Sequence, residues 1–415
     1  MTENTALFKG DRTLWILIGI LMVFSLPLIY SATGQLALNK YDGNTEKALF
    51  GHGAKLMAGM GLMLLMHRIP YLWWGRLSSW GIYLAVSLLL WALFFGQNIN
   101  EASRSVEVPF LKFSFQASDP ARLLVFLWLS RGLALLGDGI LKFRGGWDKL
   151  FLGLAVCTAL IAKENMSTGL MLMSVGLGLI WIAGARFQDL LKAVGACVLF
   201  LALFVSVGYA LGWPRVVVWV NRVQAYVDRD KSIEREDFQV VQAKIAVASG
   251  GLFGKGPGNS IQRNFLPHAY SDFIYAIVLE EYGIFGAAFV LLLYLGLFYR
   301  IRKIAIHARS TYGSLLASGL GMALMAQAMV NMGVSVDLFP VTGQTLPFLS
   351  HGGSSILINA LAMGVVLSIS RDMTGEGDWS ELDMESDDVA QEGEEDTDRK
   401  VKNEGNRPGK ELAYA

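Results

Sequence analysis

Predominantly apolar runs of about twenty residues recur along this chain, and no other feature constrains its fold as tightly. A run of that length matches the hydrocarbon thickness of a bilayer when wound as a helix. Ten such runs are read, at roughly 13–33, 49–66, 77–95, 120–137, 148–162, 168–184, 189–211, 272–299, 313–335 and 351–370. Charged residues make up only 17% of the 415, against about 25% in a soluble domain. The expected fold is an all-α polytopic membrane protein with about ten transmembrane helices. It comprises an N-terminal tail (1–12), one membrane domain (13–371) and a C-terminal tail (372–415). A single long loop, 213–271, separates the seventh and eighth spans. The first apolar run continues into a full span, so no cleaved signal peptide is expected.

Formal net charge is zero, which hides an asymmetry. From Gly375 to Ala415 there are 14 acidic and 5 basic residues, leaving 21 acidic and 30 basic before them. So polar and acidic a tail is expected to be disordered and cytoplasmic. The balance gives no reason to expect a nucleic-acid partner. Lys and Arg in the short connections set orientation. With the N-terminus inside, the inner connections hold 14 and the short outer loops 5. Both termini are therefore expected in the cytoplasm and the 213–271 loop outside. Cys157 and Cys197 fall in apolar runs and read as small hydrophobes.

Sixty residues of loop between two spans need a reason. Val216, Val220, Val223 and Val227 recur at helical spacing, with Arg215, Arg222 and Arg229 on another stripe. That is the pattern of a helix lying in the headgroup layer. The arginines either sit there as surface cations or meet phosphate groups, which guanidinium pairs well; both readings stay open. Five glycines follow between Gly250 and Gly258. The nucleotide loop GxxxxGKS/T is excluded, because Ser249 and Gly256 stand where it needs glycine and Ser/Thr. The glycines serve turns with positive φ, an anion-binding nest with Lys255, or a re-entrant dip.

The loop closes on Asp272 at the mouth of the eighth span, where it is read as doing chemistry at the outer face. Along that span Asp272, Ala276, Gly283 and Ala287 form a small or polar face that packs on protein. Glu280 and Glu281 lie deeper, where carboxylates line a cavity or pair with a base. Before the tenth span comes PVTGQTLPFLSHGGSS, broken backbone rich in hydrogen-bonding groups, including Thr342, Gln344, Ser350, His351, Ser354 and Ser355. Such backbone is tolerated at membrane depth only where protein or a cavity surrounds it. Further polar groups gather at the same side: Arg104, Gln116, Asp119 and Arg122, and Lys163, Glu164, Asn165 and Thr168. Together they point to an outward-facing polar cavity.

Four segments resemble the SEDS proteins (shape, elongation, division and sporulation), the FtsW/RodA/SpoVE type. LPHAYSDFIYAIVLEEYGIFG is similar to LPEAHTDFIFA…GEE.G..G, and SGGLFGKGPGNS to SGG..GKG.G.S. LFPVTGQTLPFLSHGGSS is similar to LLP.TG..LPF.SYGGSS, and FQASDPARL to FQPSEFAKL. Weaker matches include Asn100-x-Ala102-x-Arg104, Gln239 and Gln242, and Glu164 to Thr168. The resemblance implies a bacterial peptidoglycan glycosyltransferase in the cytoplasmic membrane, polymerising lipid II into glycan strands at the outer leaflet. It implies a class B penicillin-binding protein and other division proteins as partners, with membrane lipid around it. The family's essential aspartate falls on Asp272, read as general base. Lys255, Arg215, Arg222, Arg104 and Arg122 are candidates to meet the pyrophosphate. Gln242, Glu164, Ser271, Thr342, Ser354 and Ser355 complete the candidate substrate contacts. No cofactor is fixed; a divalent cation, Mg2+ or Mn2+, could share the neutralisation. The chain departs from the pattern at His268, Tyr270, Ser271, Arg122, Glu164-Asn165 and His351. TGQTLPF and the acidic tail lean toward the FtsW-like, division-associated side over RodA-like elongation. A lipid II transporter is the competing class, disfavoured because polar groups gather at the outer rim and no inverted repeat is visible. A non-catalytic scaffold would leave that rim unexplained.

Overall fold

The computed structural model describes residues 9–34, 44–95, 97–99, 103–108, 113–141, 146–227, 238–266 and 269–374. The expected disorder of the acidic tail lies outside the described residues, as do most of the N-terminal tail, Arg229 and His268. Ten helices match the ten apolar runs: α1 (Arg12–Ala32), α2 (Thr45–Arg68), α3 (Tyr71–Phe95), α4 (Ser118–Leu136), α5 (Asp148–Glu164), α6 (Met166–Ile182), α7 (Phe187–Ala210), α10 (Ile274–His307), α11 (Thr311–Ser335) and α12 (Ser354–Met373). Within the long loop lie α8 (Pro214–Val227) and α9 (Phe238–Gly250). Among the described residues seven helices are long and apolar enough to cross a membrane: α1, α2, α3, α7, α10, α11 and α12. The other three fall short of that standard: α5 and α6 have 17 residues each, and α4 carries Asp119, Arg122 and Arg131 in its 19.

One element departs from the all-helical expectation. Between α3 and α4 the chain forms a three-stranded antiparallel sheet: β1 (Gln97–Ile99), β2 (Ser103–Val108) and β3 (Phe113–Gln116). It lies outside the apolar runs, where hydropathy carries no signal. The stretch alternates apolar and polar residues over only a few positions.

Local chemistry fixes many helix ends. Asp11, Asn44, Asn165 and Ser310 each cap a helix by accepting a backbone N–H of its first turn. The most extensive interhelical seam among the described residues runs between α2 and α12. A Cβ added at Gly364 would meet Met63 O at 2.8 Å, and one at Gly59 would touch Ala360 at 3.4 Å. The other α2 glycines, Gly51, Gly53 and Gly61, face open space. Among the α2 glycines, Gly59 is the one packed on α12. At the opposite extreme, α7 buries only Ala193 and Gly208 and leaves Phe200 63% exposed, an apolar surface suited to lipid.

The helices alternate in direction, so the ends of the bundle differ. One end gathers the chain's start and finish. Asp11 pairs with Arg300, caps α1 through Leu14 N (2.8 Å) and accepts no less from α10 than from its own helix; its N–H donates to Ser370 Oγ of α12 (3.1 Å). The other end holds the sheet, α8, α9 and the 336–353 connection. Asp11→Ala removes a cap and a charge-assisted pair together. It should cost about 2 kcal/mol and lower the melting temperature in detergent by several degrees, with activity at the far end unchanged below that temperature.

Candidate active site

Asp272 lies just before α10, whose N-cap is the buried Phe273. Its segment is clamped through three consecutive carbonyls. Tyr270 O accepts from His351 N (2.8 Å), Ser271 O from Ser350 Oγ (2.6 Å) and Asp272 O from Asn331 Nδ2 (2.8 Å). Asn331 also donates to Gln344 O (2.6 Å). One turn earlier on α11, Gln327 Nε2 donates to Thr345 O (2.9 Å). Two amides four residues apart on one helix face thus hold the broken 336–353 backbone against the aspartate's segment. That backbone contains Phe348, fully buried with φ +63°. Such a conformation costs a non-glycine residue about 1–3 kcal/mol and persists only where its surroundings dictate it.

The carboxylate of Asp272 faces Gly343: a Cβ added there would lie 3.7 Å from Oδ2. Gly343 lines a cleft of ≈ 410 Å³, open solvent at its mouth included, whose other walls are Gln116, Asp119, Arg122, Thr168, Gln327, Gln344, Thr345, Gly352, Gly353, Ser354 and Ser355. Every wall residue is polar, charged or glycine. A cleft of that composition inside an apolar bundle suits sugars and phosphates, not a lipid tail. Asp119 is engaged at both oxygens, by Arg122 Nη2 (2.8 Å) and Ser354 Oγ (2.9 Å). Gln344 Nε2 reaches Thr168 Oγ1 (2.5 Å), and Ser355 Oγ accepts from Thr345 Oγ1 (3.0 Å) and Asn359 Nδ2 (3.2 Å). The first turns of α4, α6 and α12 open on this cleft, and α10 starts beside it. Each helix start presents a partial positive charge, so their convergence favours an anion.

The glycine loop does a different job. α10 is broken at Gly283 (φ 65°, ψ −164°), and residues 251–256 enter the break. Ile284 N and Phe285 N, which would bond to Glu280 O and Glu281 O in an unbroken helix, bond instead to Gly251 O (3.0 Å) and Leu252 O (3.3 Å). The vacated carbonyls accept from Lys255 N (2.9 Å) and Gly256 N (2.9 Å). Glu280 folds back to hold the same loop. It takes Lys255 Nζ at 2.7 Å, Ile261 N at 3.1 Å, Gln262 N at 3.2 Å, and Ser260 Oγ. Glu281 accepts from Ser31 Oγ of α1 and Ser260 N (3.3 Å). Gly283 is nine residues into α10, so the loop dips roughly 14 Å alongside it at 1.5 Å per residue. Four of its glycines, 251, 254, 256 and 258, have positive φ.

The structure sorts the residues singled out from sequence. Arg122, Ser354 and Ser355 line the cleft, Asp272 stands beside its Gly343 wall, Ser271 is in the clamp and Thr342 adjoins Gly343. Lys255 is committed to Glu280, and that ion pair is what its buried carboxylate was placed for. Gln242 lies on α9, which packs on α10 and α11. Glu164 ends α5, next to Asn165, which caps α6. Arg215 and Arg222 lie on α8, which packs on α7, and neither is among the cleft's wall residues. Arg104 sits in β2 opposite Asn98. Gln327, Asn331 and Asn359 were not singled out, although lone amides in apolar helices are a usable signal. Among the described residues no three His, Cys, Asp or Glu lie together as a metal site.

A family described as cell cycle protein, FtsW/RodA/SpoVE, matches residues 11–375. The chain is 33% identical over 372 residues to stage V sporulation protein E of Bacillus subtilis, covering 87% of this chain and 97% of that one. It is 30% identical over 375 residues to a probable peptidoglycan glycosyltransferase FtsW of Pseudoalteromonas atlantica, covering 88% and 74%. Its fold is shared with a chain from a peptidoglycan synthase complex described by its structural coordination of polymerization and crosslinking (TM-score 0.70, 23% identity, 88% and 98% covered). It is also shared with the rod shape determining protein RodA of Thermus thermophilus (TM-score 0.62, 23% identity, 88% and 97% covered).

Proposed function

Because the chain belongs to the FtsW/RodA/SpoVE family of cell cycle proteins, we propose that its polar cleft is the active site of a peptidoglycan glycosyltransferase. The substrate is lipid II, a disaccharide-peptide on undecaprenyl pyrophosphate, and the product is a glycan strand. The observation that carries this reading is the clamped Asp272 facing a cleft walled only by polar residues and glycine.

The chemistry follows from what sits there. A hydroxyl of the acceptor sugar attacks the anomeric carbon of the donor. The new C–O bond forms as the bond to pyrophosphate breaks, and undecaprenyl pyrophosphate leaves with the electron pair. Asp272 accepts the hydroxyl proton as the nucleophile commits, the role of the base in inverting sugar chemistry. The leaving pyrophosphate gains charge, and Arg122 with the helix starts of α4, α6 and α12 offers positive potential to meet it. Asp119, held by Arg122 and Ser354, orients the guanidinium. The described residues do not build a cation cage, since Asp119 is spent on its two partners; no step is assigned to a divalent ion. Were Mg2+ or Mn2+ to take part, pyrophosphate oxygens and water would supply most of its ligands.

The apolar helix surfaces place the enzyme in a membrane as a multi-pass protein. The charge bias supports the bacterial cytoplasmic membrane, with the cleft at the outer face. The likeness to a chain of a polymerizing and crosslinking complex supports a class B penicillin-binding protein as partner. Division rather than elongation is the setting favoured by the FtsW relatives and the TGQTLPF segment. The test is direct: the full chain, purified with its transpeptidase partner, is given lipid II in detergent and the products are resolved by length. Glycan strands are expected. Their absence across partners and cations, with lipid II translocated in liposomes instead, would establish transport.

A further inference from the structure

We propose that Tyr270 and His351 act as one positioning unit for Asp272, a phenol–imidazole pair whose members can be exchanged together but not singly. The proposal rests on the general-base reading of Asp272. The two rings pack edge to face, centroids 5.8 Å apart at 84°. The same residues are joined through the backbone, His351 N donating to Tyr270 O at 2.8 Å. Side chains and main chain therefore lock one another two residues ahead of Asp272.

The sequence motifs add an independent observation. The pattern that the chain resembles has histidine where Tyr270 stands and tyrosine where His351 stands. This chain reverses both, 81 positions apart, and the structure puts the two rings in contact. An edge-to-face pair needs one ring edge and one ring face, and phenol and imidazole supply these in either order. Two phenols would overfill the space, and overpacking shifts backbone. Two imidazoles would underfill it.

The remaining neighbours explain why the imidazole is tolerated at 351. Lys55 Nζ of α2 lies 3.2 Å from His351 Nε2. An ammonium only donates, so in this contact Nε2 accepts. The ring of His52, fully buried on α2, lies 5.3 Å away at 32°. His52 is tied down in turn: Ser25 Oγ donates to Met22 O (2.7 Å), so it accepts from His52 Nε2 (3.0 Å). His351 is held by Tyr270, His52 and Lys55, three contacts from two directions. Any change in ring volume at 270 or 351 must then be absorbed by the 270–272 segment. A displacement of about 1 Å at a reacting group costs on the order of 10²-fold in rate.

The experiment uses the full chain with its transpeptidase partner polymerising lipid II, with kcat and KM measured for wild type, Tyr270→His, His351→Tyr and the double exchange. Each single exchange is expected to lower kcat about thirtyfold with KM within about twofold, and the double to regain kcat to within about threefold of wild type. A double variant no better than the product of the two singles overturns the proposal. So does a loss confined to KM, which would make the rings substrate contacts. Melting temperatures in detergent accompany each assay. If a single variant does not fold, the double must both fold and turn over, and an inert folded double overturns the pairing. Asp272→Asn is run alongside: strands from that variant would refute the base assignment while leaving the kcat coupling between the rings to be read by itself. An inert wild type refutes the glycosyltransferase reading, and the positioning role falls with it.

Discussion

Asp272→Asn is expected to abolish strand formation, lowering turnover about 10³-fold, while the melting temperature stays at the wild-type value. Asparagine has the shape of aspartate but a far weaker base, and removing a general base typically costs 10²–10⁴-fold. The clamp survives the change because it grips backbone carbonyls at 270, 271 and 272, not the side chain. Substrate binding should survive too, so the loss should appear in kcat. Asp272→Glu gives a second reading. It keeps the base but lengthens the side chain by one methylene, so the carboxylate leaves its present place beside Gly343. About 10²-fold loss is expected from misplacement alone. Strand formation undiminished in the asparagine variant would remove Asp272 from the chemistry.

The largest effect on stability belongs to Gly283→Ala. Its φ of 65° with ψ of −164° is a region essentially reserved for glycine, and leaving it costs about 1–3 kcal/mol. A Cβ there would also strike the backbone of Leu252 and Gly254, which cannot swing aside as a side chain can. Overpacking of that kind adds about 1–3 kcal/mol. The sum is a large part of a typical domain's stability of about 5–15 kcal/mol, so little folded protein is expected from detergent extraction. Gly251→Ala is the control. It shares a positive φ of 59° but has nothing within 4 Å of an added Cβ. Only the conformational penalty of about 1–2 kcal/mol remains, and the protein should fold. Equal melting temperatures for the two variants would show that contact with the loop contributes nothing.

The helices were legible in the sequence because a membrane span writes itself as a run of apolar residues, and all ten runs became helices. The polar rim was legible for a related reason: Asp119, Arg122, Thr168, Asp272 and Ser354 stand at the ends of those runs, and alternation of direction puts the ends together. The spans themselves were less clear, since α4 trades apolar residues for the charges that line the cleft. Long-range pairing was hidden. Nothing in the spacing of Lys255 and Glu280 says that a loop cation closes on a helix carboxylate 25 residues later. The glycines announced positive φ but not that α10 would open to receive them. Gln327 and Asn331 were overlooked because α11 is otherwise apolar; their spacing of four places both amides on one face. The sheet of residues 97–116 went unread because strands of three to six residues leave little periodic trace.

The break in α10 bears on how the protein is made. An α10 broken at Gly283 with Glu280 O, Glu281 O, Ile284 N and Phe285 N open would carry four bare peptide groups, each costing about 1–3 kcal/mol where water is excluded. Residues 251–256 supply all four partners. They precede α10 in the chain, so ribosomal order delivers the plug before the helix that needs it. The final shape of α10 therefore depends on a segment made before it. A chain whose 251–256 segment is held away from α10 would wind it as a straight helix, with Lys255 and Glu280 each denied its counter-charge.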